Sequence, residues 1–95
     1  MKYDNNIYFN NVELFGNLRN RGQRVKVGNE NALRLIISVP NDEKSEERSN
    51  NISVYYITDD FNILRSFIGE KFMISGHIDT MYGQRIIVDQ LIMVG

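Results

Sequence analysis

Two stretches of this chain alternate apolar and polar residues, and each places a glycine where the alternation calls for a core side chain. In the first, Val12, Leu14, Gly16 and Leu18 share one phase, and Asn11, Glu13, Phe15 and Asn17 share the other. In the second, Phe72, Ile74, Gly76 and Ile78 alternate with Met73, Ser75, His77 and Asp79. A period of two specifies a strand with one buried and one wet face. A glycine inside such a strand weakens it, and marks a bulge or the sharp bend by which one strand serves both sides of a barrel.

The rest of the chain supplies further strands and their breaks. Residues 19–31 mix arginine, asparagine and glycine, with turns expected at Arg21-Gly22-Gln23 and Gly28-Asn29 and a short strand through Val25 and Val27. Ala32 to Val39 reads as a strand with Leu33, Leu35, Ile37 and Val39 inward and Arg34 and Ser38 outward, closed by Pro40. Residues 41–51 contain no apolar side chain and read as a mobile loop. Ile52 to Ile57 is a strand that turns Ser53 and Tyr55 outward. Thr58-Asp59-Asp60 offers N-cap chemistry, and Phe61, Leu64, Phe67 and Ile68 recur at helical spacing up to Gly69, a natural C-cap. After the strand Lys71 to Asp79, a tight hairpin at 80–84 leads into a last strand, Arg85 to Val94. The expected architecture is all-β: a five-stranded Greek-key barrel of the OB type, with one short helix between strands 3 and 4. An SH3-like barrel has similar strand counts but no full helix at that place.

Ninety-five residues make one domain, here an N-terminal arm over 1–10 and a barrel over 11–95. Cysteine is absent, so no disulfide or thiolate metal site contributes. No apolar run reaches the length of a membrane span, and the N-terminus lacks a signal-peptide core, so a cytoplasmic location is the default expectation. His77 is the single histidine, without the companions a metal site needs. Asp59-Asp60 is explained by a helix start, and no phosphate loop or nucleophile elbow is present. The sequence therefore points away from catalysis, metals and cofactors, and toward binding.

Charge distribution suggests what is bound. The formal net charge is −1, yet residues 1–39 hold six basic and three acidic side chains, a local +3. Arg19, Arg21, Arg24 and Lys26 follow one another without an intervening acid, Arg34 lies on the next strand, and Arg85 can join from the last. Such a run fits phosphate contacts better than a mixed solvated face would. Single strands of nucleic acid are held by aromatic platforms together with cations. Tyr55 is the leading platform candidate, with Phe15 and Tyr82, at the hairpin tip, behind it. The plainer alternatives are a half-buried packing tyrosine, a phenylalanine covered by the N-terminal arm, and a merely exposed tip residue.

Asn11-Val12-Glu13-Leu14-Phe15-Gly16-Asn17-Leu18 resembles the opening strand of the bacterial single-stranded DNA-binding protein family, which typically reads N-x-V-x-L-x-G-N-L. Phe72-Met73-Ile74-Ser75-Gly76 is similar to that family's V-Y-I-E-G strand, and the likeness runs over residues 11–94. It implies non-specific binding of single-stranded DNA in replication or recombination, with Tyr55 where the family carries a base-stacking aromatic, and association into dimers or tetramers. The chain departs from the family in having no tryptophan, a short hairpin after strand four, an acidic segment after Pro40, and Gly95 where a long acidic-tipped tail would follow. A second reading is an OB module that docks on a replication primase or polymerase, such as that of a mobile element, with DNA contact secondary. A third is an OB barrel that binds RNA or protein alone.

Overall fold

The computed structural model describes residues 10–42, 45–81 and 83–94. Its strands are β1 (Val12–Leu18), β2 (Gln23–Val27), β3 (Glu30–Asp42), β4 (Ser45–Ile57), β5 (Lys71–Asp79) and β6 (Arg85–Val94). They form one sheet of order β1-β5-β6-β4-β3-β2, and a further pairing of β1 with β3 closes it. All pairings are antiparallel except β4 with β6, which meet in parallel at Tyr55 and Ile87.

β1 and β2 are two halves of one bent strand. β1 leaves β3 at Asn17–Ser38 and Leu18–Ile37, and β2 rejoins the same strand from Gln23–Arg34 to Val27–Glu30, so the closed barrel counts five strands. The bend would strand backbone groups of β3, and Asn20 takes them up. Its side-chain amide donates to the Arg34 carbonyl at 3.2 Å, and its oxygen accepts from the Ile36 amide at 2.9 Å. An asparagine side chain thus stands in for a strand where the strand is turning away.

Both strand glycines lie where another backbone comes close. A Cβ at Gly16 would be driven into the Ser38 carbonyl oxygen and the Ile37 side chain, at the seam where β1 crosses onto β3. At Gly76 it would meet the Ile87 carbonyl oxygen, beside a bulge where β5 pairs Ser75 with Gln90 and Gly76 with Val88. The inward phases of all five strands then meet: Leu18, Leu33, Leu35, Ile37, Val54, Phe72, Ile74 and Val88 form one buried cluster with Leu64.

The segment between β4 and β5 differs from expectation. In place of a helix there is a chain of turns ending in a single 3-10 turn, Arg65–Phe67. Its hydrogen bonds all run from residue i+3 back to i: Ile63 to Asp60, Arg65 to Asn62, Phe67 to Leu64 and Glu70 to Phe67. Asn62, Ile63, Ser66 and two phenylalanines are weak helix formers, and two turns cannot repay helix nucleation. Thr58 Oγ1 and Asp60 Oδ1 instead accept from amides two residues on, at 3.0 and 3.1 Å. Gly69 does close the segment, at φ +93°, and Leu64 still reaches the core.

The stretch after Val39 is also different. Pro40 does not end its strand, and the described residues of the expected loop, 41–42 and 45–51, are strand: β3 and β4 stay paired at Val39–Asn50, Pro40–Ser49 and Asp42–Ser45 around an irregularity next to the proline. A ladder growing from two well-anchored strands needs backbone partners rather than apolar side chains, and a bulge accommodates the missing proline N–H. Residues 1–9 of the expected arm lie outside the described residues. Asn10 extends the sheet, exchanging two side-chain hydrogen bonds of 2.6 and 2.8 Å with the backbone of Ile78.

Candidate nucleic-acid interface

The outward phases of the strands make a surface whose rows follow from the register. One row crosses four strands as Gln23, Arg34, Tyr55 and Ile87. Arg34 donates from Nη1 to Gln23 Oε1 at 3.2 Å, which holds the guanidinium along the sheet. Arg85 lies with its guanidinium carbon 4.9 Å from the centre of the Tyr55 ring, and donates from Nη1 to the Lys26 carbonyl at 3.2 Å. Arg85 therefore ties β2 to β6 and presents a cation against the ring at the same time.

Tyr55 does point outward, and it is half-buried. It packs with Val25 and Ile57 on a second small cluster of Val27, Ala32 and Ile87. The packing reading of this residue is met: apolar neighbours set the ring's tilt, and a guanidinium covers part of one side.

The run from Arg19 to Lys26 is divided. Arg19 and Arg21 are exposed with no side-chain partner among the described residues, and Arg19 is anchored by its amide to the Ile36 carbonyl at 2.8 Å. Arg24 and Lys26 pair with Leu33 and Asn31, on the opposite phase of β2 from Gln23 and Val25. There Arg24 sits 4.7 Å from the centre of the Phe61 ring. Parity carries this signal in the sequence, since 24 and 26 share the phase of Gly16 and Leu18 while 19 and 21 share that of Asn17. None of these cations is ion-paired among the described residues.

Phe15 is 45% exposed and belongs to another row, in register with Met73 and Ile92, which are 49% and 46% exposed. Lys71, the cross-strand partner of Asn17, holds its ammonium 5.9 Å from the Phe15 ring. Sequence reasoning passed over Lys71, because only the β1–β5 register brings it beside Asn17. Tyr82 lies outside the described residues. His77 does face outward, where its Nδ1 is 2.9 and 3.0 Å from the two oxygens of Asp89, the extra residue of the β6 bulge. Among the described residues no three metal-ligating side chains come together, and no helix is long and apolar enough to cross a membrane.

This strand order, with its 1-2-3-5-4-1 closure once β1 and β2 are taken as one strand, decides the fold. The chain has the OB fold. The dimeric N-terminal domain of the PriB protein from Thermoanaerobacter tencongensis superposes with a TM-score of 0.70, covering 90% of this chain and 97% of that one at 16% identity. The Plasmodium falciparum SSB, solved in complex with ssDNA, superposes with a TM-score of 0.54, covering 97% of this chain and 100% of that one, also at 16% identity. No family model matches the sequence, and no curated protein matches it. At such identities the likeness concerns the OB barrel itself. What the outer face of this barrel holds is a matter of its own side chains.

Proposed function

We propose that this OB barrel binds single-stranded DNA without sequence preference, in replication or recombination, on the outer face of β3 and β4. The observation that carries the reading is the juxtaposition of Arg34, Tyr55 and Arg85: a tethered ring beside two guanidiniums that no acidic partner among the described residues neutralises. A ring takes a base of any identity, and cations take the phosphates on either side of it. Arg19 lies farther along the same face, and Arg21 shares its phase next to the bend. Arg24 and Lys26 contribute from the neighbouring face, where they draw the polyanion in rather than grip it. The OB-fold SSB solved with ssDNA supports the choice of ligand.

The test is a titration of labelled oligo-dT by the full chain at two salt concentrations, with Tyr55→Leu beside the wild type. Micromolar or tighter binding that falls steeply with salt and weakens in the variant supports the proposal. Salt-independent millimolar binding defeats it.

A second reading is favoured by the exposed row Phe15, Met73 and Ile92. Three large apolar side chains in register on adjacent strands suit a protein partner, either another copy of the chain or a replication primase or polymerase on which the barrel docks as an accessory subunit. The dimeric PriB domain supports the first of these. Sedimentation of the isolated chain separates them, since only the first predicts self-association.

A further inference from the structure

A recess of about 390 Å³ opens on the barrel surface where β1, β3 and β5 meet, lined by Asn17, Arg19, Ser38, Pro40, Ser49 and Lys71. Arg19 is the residue that follows β1 and Lys71 comes from β5, and among the described residues no acidic side chain lines it. Neither cation is ion-paired among the described residues, and the Lys71 ammonium lies 5.9 Å from the centre of the Phe15 ring. The floor is held by the seam pairing Asn17–Ser38 and by Pro40–Ser49, and Asn17 is fixed by its amide donation to the Gly69 carbonyl at 2.9 Å. Ser38 and Ser49 bring hydroxyl groups that can donate. Two charged donors and two hydroxyls around a pocket of this size suit a tetrahedral oxyanion.

We propose that this recess is a phosphate-binding subsite for one phosphodiester of a bound single strand, anchored by Arg19 and Lys71. The inference rests on the single-stranded DNA reading and extends it in space. Ser38 and Pro40 lie on the same phase of β3 as Arg34, and Ser49 on the same phase of β4 as Tyr55, so the recess and the Tyr55 row are two stations on one face. Six residues of strand separate Arg34 from Pro40, roughly 20 Å at the rise of a β-strand. A strand seated on Tyr55 must therefore extend by several nucleotides before a phosphate reaches Lys71.

The experiment is a length series of oligo-dT, from about four to about sixteen nucleotides, titrated by fluorescence anisotropy against wild type, Lys71→Gln, Arg19→Gln and Tyr55→Leu. Both cations are exposed, so circular dichroism and thermal melting of these variants should match the wild type. The expected result is that Lys71→Gln and Arg19→Gln weaken the longest oligonucleotides about tenfold and leave the shortest unchanged, while Tyr55→Leu weakens all of them. If the two cation variants keep the wild-type length dependence while Tyr55→Leu loses affinity, the subsite is wrong and the DNA reading stands. If the wild type binds no oligonucleotide of any length, both fall. If the two variants weaken short and long strands alike, the recess is no separate station and the proposal is overturned.

Discussion

Tyr55 is a packing residue at the place where base stacking is proposed. Its ring is seated on Val27, Ala32 and Ile87, and is faced by Arg85, which also reaches the Lys26 carbonyl. Replacing it with alanine would confound lost stacking with lost packing. Leucine keeps most of the apolar volume and removes the π face. Tyr55→Leu is expected to weaken oligo-dT binding by about 1–3 kcal/mol, while urea denaturation moves by less than about 1.5 kcal/mol. A stability loss larger than the binding loss would mean that the ring serves packing alone.

At the scale of elements, the bent first strand organises the barrel. It can cross onto β3 because Gly16 has no Cβ to meet the Ser38 carbonyl, and it can turn away because Asn20 satisfies the β3 backbone it leaves. Gly16→Ala forces that seam apart. The expected loss is about 1–3 kcal/mol of unfolding free energy by urea denaturation, and an unchanged midpoint would show that the seam yields without strain. The turn segment after β4 has no such single determinant. Its apolar spacing brings Leu64 into the core, which a helix would also do, so the pattern alone does not separate a helix from successive i+3 turns.

For the whole molecule, most of the buried apolar side chains belong to one cluster, and the proposed binding uses one face. Leu35 is wholly buried among the inward residues of the barrel. Leu35→Ala should remove about 2–5 kcal/mol of stability, read from chemical denaturation, because a small barrel has little room to collapse around the void. The face is basic although the molecule is not: Arg19, Arg34, Lys71 and Arg85 have no ion-pair partner among the described residues, on a chain of net charge −1. If these four each neutralise a phosphate, the logarithm of affinity should fall against the logarithm of salt with a slope of about −3. Titrations from low to physiological salt measure it, and a slope near zero would exclude this track.

The alternation of β1, β3, β4, β5 and β6, the two strand glycines and the turn at Gly28-Asn29 were legible in the sequence, because a two-residue period and a turn are local properties of a chain. The outward direction of Tyr55 and the opposite phase of Arg24 and Lys26 follow from the same parity. What sequence reasoning lacked was everything set by partners far along the chain. The pairing past Pro40 exists because β3 and β4 are already paired below it. Arg85 meets Lys26 across 59 residues, and Lys71 stands beside Arg19 and Asn17 only because β5 lies against β1. Periodicity decides which way each side chain points; closure of the sheet alone decides which neighbour it finds there, since strand register is a long-range pairing that no window of the chain contains.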